Sequence, residues 1–172
     1  MVLVHAGCSA PPTGSGRLPD QACASVSDLA RAFRAALETF GPTASGRAVA
    51  PLHRFPSGCC SIASCLLARY LYEHDYHDTR CVYGPLRWDK ARAHEWVRTG
   101  AVIVDITADQ FGWISPRPDA VIVTTCSKFH SRWGRRKQLA YAPNWSAWGW
   151  TQAVLRDYEA AYAELLSLIA AT

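Results

Sequence analysis

"HEWVRTGAVIVDIT" occupies His94–Thr107, and its reading decides how the chain folds. Two runs rich in β-branched and aromatic residues flank Thr99-Gly100, the pattern of an antiparallel hairpin. If Thr99-Gly100 is the two-residue turn, Arg98 faces Ala101, and counting outward sets His94 opposite Asp105. Opposed residues on one face have Cβ atoms about 4.5–5.5 Å apart, close enough for a carboxylate to hold one imidazole nitrogen and set the tautomer. Asp105 emerges from the apolar run Ala101–Val104, where a charge is costly unless it is paired. The stretch therefore predicts a sheet and a His94–Asp105 pair together.

Upstream, "FPSGCCSIASCLLARYL" (Phe55–Leu71) brings two adjacent cysteines to the start of an apolar helix, with Ile62, Leu66, Leu67, Tyr70 and Leu71 on one face. Gly58 permits a sharp turn and Pro56 fixes its approach. The thiolate is the reactive form of cysteine, and the positive end of a helix and a nearby imidazole both favour it. Cys60 is placed for the first of these. Cys65, a full turn further in, reads as core, and taken alone all three cysteines are compatible with simple packing. The helix-start cysteine together with His94 and Asp105 makes a Cys-His-Asp constellation, the arrangement of an activated nucleophile, its base and the group that orients the base.

The remaining pattern is α+β. "SVSDLARAFRAALETFG" is a helix, with Ser25 or Ser27 as its cap and Gly41 as its stop. "TRCVYG" and "AVIVTT" (Ala120–Thr125) read as strands. The C-terminal stretch from Trp150 is a long helix with Val154, Tyr158, Tyr162, Leu165 and Ile169 on its apolar side. One helix-packed antiparallel sheet is the economical architecture. Residues 1–24, rich in Pro, Gly and Ser, are expected to be a mobile tail, and 25–172 a single domain.

Composition limits the alternatives. With 49% hydrophobic and 19% charged residues the chain is of ordinary globular type, and no apolar run is long enough to cross a bilayer. "HAGC" near the start lacks the positive and apolar regions of an export signal, so a cytoplasmic location is expected. The seven cysteines are odd in number and irregular in spacing, which suits a reducing compartment better than a disulfide framework. No CxxC pair occurs, "HDYH" (His74–His77) reads as a wet connection, and neither a metal nor a cofactor is expected. The basic cluster "RWGRRK" (Arg132–Lys137) reads as a solvated loop. With no aromatics interleaved through a basic stripe, a dedicated nucleic-acid binder is not expected.

Taken together, "FPSGCC", "HEWV" and "VDITADQF" resemble the transglutaminase-like branch of the papain-like cysteine enzymes, and small bacterial members with F-P-x-G-x-C, H-x-W and D-I-T-A-D-Q-F motifs in particular. The resemblance covers roughly Phe55–His130. It implies a papain-like or transglutaminase-like core in which the nucleophile helix packs on a small antiparallel sheet. It places the nucleophile at Cys60 rather than Cys59, the base at His94 and the orienting acid at Asp105. The implied reaction is acyl transfer from an amide or thioester through a thioester on Cys60, by a hydrolase of thiol-protease or amidase type. Alternatives are an acyltransferase, transglutaminase or deamidase acting on a carrier-bound or protein substrate, and a catalytically silent binding protein of the same fold. The partners implied are a peptide, a protein side chain or a carrier-bound acyl group.

A tetrahedral oxyanion needs at least two donors. The Cys60 backbone N–H is one, and Gln110 is the best side-chain candidate for the second. It reads equally well as a loop-bracing residue. Trp96 and Cys59 are further candidates beside the site, and His53, Arg54 and Trp88 lie in flanking loops. His130 reads either as a substrate contact at the rim or, slightly preferred, as a loop histidine anchoring Asp109 or Asp119. Trp145, Trp148 and Trp150 read as a plug between sheet and last helix in preference to a substrate wall.

Overall fold

The structure, a computed structural model, describes residues 19–134, 136–140 and 150–172. Its regular elements are α1 (Pro19–Phe40), α2 (Cys60–Glu73), β1 (Thr79–Pro85), β2 (Ala93–Thr99), β3 (Val102–Asp105), β4 (Ile122–Thr124), β5 (Lys137–Ala140) and α3 (Gln152–Ala170), with 3-10 turns between them. The strands form one antiparallel sheet in the order β4-β3-β2-β1-β5. The α+β class read from the sequence is the observed one.

Each helix buries the stripe its spacing suggests. On α1, Val26, Ala30, Phe33, Leu37 and Phe40 recur every three or four residues and are buried. Pro19 opens this helix upstream of the expected Ser25 or Ser27 cap, at a position where the missing N–H has no helical partner to lose. On α3 the Thr151 hydroxyl accepts the Val154 N–H and caps the first turn, while Tyr158, Ala161, Tyr162 and Leu165 face the core. Residues 1–18 lie outside the described residues, as do Trp145 and Trp148. Trp150 stacks on Tyr158 with ring centroids 4.3 Å apart.

The alternating strands divide the interior in two. Cys81, Val97 and Val104 point to the three helices and join their core. Val82, Trp96 and Ile103 point the other way, into a smaller cluster closed by Leu86, Phe111, Ile114, Phe129 and Trp133. The sheet therefore lies between a helical layer and a layer of aromatic-rich loops. The candidate histidines belong to the second.

Two expectations are corrected. Val97 pairs with Val104 and Thr99 with Val102, so the hairpin turns at Gly100-Ala101 and not at Thr99-Gly100. Gly100 has φ +54°, a conformation that favours glycine at the first turn position. Continued outward, this register sets Asp105 opposite Trp96, and His94 becomes its diagonal neighbour. A shift of two positions preserves the face, so the pair survives the error. The second correction concerns "RWGRRK". Arg135 lies outside the described residues, and Arg136 and Lys137 are exposed as a solvated loop requires, but Trp133 is fully buried and Lys137 begins an edge strand. The Arg136 guanidinium donates to the His130 carbonyl at 2.6 Å, and that of Arg132 to the Ser115 carbonyl at 2.7 Å.

Among the described residues, no helix is long and apolar enough to cross a membrane.

A buried arginine ties α1 to the loops beyond the sheet. The Arg34 guanidinium pairs with both Asp109 oxygens at 2.9 and 3.0 Å, donates to the Ile106 and Ala120 carbonyls at 2.7 and 2.8 Å, and reaches Glu38 at 2.8 Å. Removing it would leave buried acceptors unpaired. Arg34→Leu is expected to lower stability by about 3 kcal/mol in urea unfolding. A loss below about 1 kcal/mol, the scale of an exposed ion pair, would contradict this role.

Candidate functional site

The turn before α2 is built by Gly58 and Cys59. Gly58 has φ +71°, which an L side chain rarely adopts, and Cys59 caps α2 without a side-chain hydrogen bond. The first N–H groups of the helix thus receive no help from their cap residue. Cys60 is the first residue of α2 and is half-buried, whereas Cys59 is buried. Burial, with the adjacent Cys60 charge, pushes the Cys59 thiol up to about 12 against the milder pull of Arg54 and Arg34. Cys59 is therefore a poor thiolate. Cys65 is core, as expected, facing Cys81 across the helix–sheet contact; that hydrogen bond and burial push its thiol well up.

Two hydroxyls hold the start of α2 against β2. Ser61 Oγ donates to Glu95 Oε2 at 2.7 Å, and Ser64 Oγ donates to the Glu95 carbonyl at 3.1 Å. Glu95 follows His94, so these bonds fix the Cys60 end of the helix beside the imidazole. Sequence reading missed them. A serine one and four residues into a helix is an ordinary surface pattern, and only the tertiary pairing gives it meaning.

His94 and Asp105 are wholly buried and joined by an Nε2–Oδ2 bond of 2.6 Å. The Asp105 carboxylate accepts three more bonds. Oδ1 takes the Thr107 backbone N–H at 2.9 Å and the Thr107 hydroxyl at 3.2 Å, and Oδ2 also takes His130 Nε2 at 3.0 Å. Burial alone would raise the carboxyl. The His94 charge and the bonds from His130 and His94 hold it far below the usual carboxylate range. Burial would likewise lower His94, but the Asp105 charge and hydrogen bond, aided by Cys60, push it up to about 9.

With Nε2 committed to Asp105, Nδ1 is the nitrogen of His94 left over. It is buried and completes no aligned hydrogen bond. Cys60 is near enough for its charge to favour the imidazolium, and Nδ1 is the nitrogen that Asp105 leaves open. Phe111, Trp133 and Trp96 surround the ring at centroid distances of 4.8, 5.3 and 5.6 Å.

The other candidates sort clearly. The Gln110 side-chain oxygen accepts the Gly58 N–H at 3.2 Å, and its amide donates to the Thr107 carbonyl at 2.8 Å. It braces the Gly58 turn against the Asp105 loop. Trp96 is buried beneath the imidazoles. His130 corrects both of its readings, since it is wholly buried and not at the rim, and its carboxylate is Asp105, not Asp109 or Asp119. Asp109 belongs to Arg34. His53 is turned to the Ala44 carbonyl, and Trp88 is exposed.

Among the described residues, two groups bring metal-ligand atoms within 4.8 Å of one another, His94–Asp105–His130 and Cys65–Cys81–Glu95. In the first, the imidazole N–H groups are aimed at the carboxylate, which occupies the atoms a cation would need. His74 instead turns Nδ1 to the Tyr70 carbonyl at 2.7 Å, and His77 is exposed.

No protein-family model, curated protein or solved structure matches the chain.

The paired shifts predict how stability depends on pH. His94, ordinarily 6.5 and about 9 when folded, contributes stability fully present below pH 6.5 and lost as the pH rises through 9. Asp105, depressed from 3.8, contributes stability present above that value and lost as the pH falls below it. Urea midpoints of the wild type should fall between pH 6.5 and 9, and Asp105→Asn should flatten that decline. Parallel declines in both proteins would show that the pair is not the source.

Proposed function

We propose that the chain is a cysteine hydrolase or acyltransferase, with Cys60 as nucleophile, His94 as base and Asp105 as the acid that orients it. The observation that carries this reading is the buried His94–Asp105 bond, which leaves Nδ1 unpaired next to a half-buried cysteine at a helix start. The transglutaminase-like resemblance and a papain-like core are part of the same proposal. They are supported by the chain order of the three residues and by the nucleophile helix lying on an antiparallel sheet.

In the proposed cycle, His94 Nδ1 takes the Cys60 proton, and the sulfur attacks the carbonyl of an amide or thioester. The negative oxygen is met by N–H groups at the start of α2, where the helix dipole also favours it. His94 returns its proton to the leaving amine or thiol as the C–N or C–S bond breaks, leaving an acyl group on Cys60. A second nucleophile, water or an amine, gives up its proton to His94 and takes the acyl group, and Cys60 is restored. Asp105 remains ionised throughout and balances the imidazolium. The substrate class is a peptide, a protein side chain or a carrier-bound acyl group, with a cytoplasmic setting in keeping with free cysteines.

Acylation with p-nitrophenyl acetate, read by intact and peptide mass, tests the reading. A single acetyl group is expected on Cys60, absent in Cys60→Ala and formed about 10²–10⁴-fold more slowly in His94→Ala. Equal labelling of the exposed Cys126, or indifference to His94→Ala, would overturn it.

A further inference from the structure

Asp105 Oδ2 serves two imidazoles at once, His94 Nε2 at 2.6 Å and His130 Nε2 at 3.0 Å. Both rings are wholly buried, so neither can exchange a lost bond for water. The protons of the second ring follow from its partners. A carboxylate only accepts, so His130 Nε2 carries its hydrogen. Ser127 Oγ accepts the His130 backbone N–H at 3.2 Å and lies 2.8 Å from Nδ1, to which it donates its own hydrogen. Every polar atom of the His130 ring is thus satisfied in the neutral form. The charged groups around it are Asp105 and His94 on the same face of the sheet and Arg136, which bonds its carbonyl at 2.6 Å. Burial first, then the charges of His94 and Arg136, oppose a second proton on this ring against the pull of Asp105.

We propose that His130 is a positioning residue of the Cys60–His94–Asp105 site, taking a share of Asp105 Oδ2 so that the carboxylate orients His94 without holding its proton too tightly. This rests on the triad reading above. An imidazole that accepts a proton in one step must release it in the next, and a buried carboxylate facing it alone would hold that proton more tightly than a shared one does. A neutral N–H directed at the same oxygen draws off part of that negative charge. Ser127 supports this by fixing the His130 tautomer. The resulting chain is Ser127–His130–Asp105–His94–Cys60, in which only the last two exchange a proton.

The test is the pH profile of Cys60 alkylation by iodoacetamide, read by peptide mass in the wild type and in His130→Phe, His130→Gln and His94→Ala. Phenylalanine keeps the ring in its aromatic surroundings and removes the donor. His94 then becomes more basic and takes the thiol proton more readily, so the acid limb should move about one pH unit lower, a roughly tenfold faster reaction there. Glutamine, whose amide N–H can reach Oδ2, should restore the wild-type profile. Loss of mere packing support would slow alkylation or move the limb upward. An unchanged or upward-moved limb in His130→Phe, with the limb in His94→Ala still moved up to that of an ordinary thiol, overturns this inference alone. A limb that stays as low in His94→Ala as in the wild type overturns the triad reading beneath it. Circular dichroism establishes that each variant is folded. If His130→Phe is not, Ser127→Ala decides the matter: it frees the ring and should shift the limb in the same downward direction by less, and no downward shift counts against the inference.

Discussion

A carboxylate buried at the end of a strand is the constraint on which this structure turns. Stripping Asp105 of water would be prohibitive without compensation, and the chain supplies four donors from three places. Thr107 comes from the residues just beyond β3, His94 from the neighbouring strand, and His130 from the loop after β4. Meeting the needs of one side chain thus draws the far loops onto the sheet. The aromatic layer of Phe111, Phe129 and Trp133 closes over the result. The dry surroundings then strengthen the same interactions that made them possible.

Cys60 comes from the opposite layer, and the two meet at the end of the sheet. Ser61 and Ser64 fasten the first turns of α2 to Glu95, and Gln110 joins Gly58 to the loop that follows Asp105. Arg34 fixes that loop to α1 through Asp109 and the Ile106 carbonyl. These braces act on the relative placement of Cys60 and His94, whereas the Asp105 cluster acts on the orientation of the imidazole alone. Of the two cysteines at the turn, Cys59 is spent on the helical core and Cys60 is left at the edge of it.

Much of this was legible from local pattern. The helices follow from the spacing of Phe33, Phe40, Leu66, Leu67, Tyr162 and Leu165, and the His94–Asp105 pairing follows from strand parity. Parity tolerates a two-residue error in register, which is why the misplaced turn at Thr99-Gly100 did no harm to the pair. What escaped reading was long-range. His130 is remote from Asp105 in sequence, and no periodicity links them. β5 has every residue exposed and so carries no alternation to detect. Arg34 sits among the apolar residues of an amphipathic helix, where an arginine ordinarily snorkels to solvent; its burial depends on loops far along the chain.

The link between Cys60 and His94 is the step from geometry to chemistry, and it can be observed without a substrate. Nitrogen-15 shifts of the His94 ring, followed against pH with Cys60 free and with Cys60 blocked as its methyl disulfide, report that link directly. A coupled pair predicts that His94 keeps its proton to about pH 9 in the free protein and titrates lower once the sulfur is blocked. A His94 titration indifferent to the state of Cys60 would contradict the nucleophile–base assignment and leave only a structural histidine on a buried carboxylate.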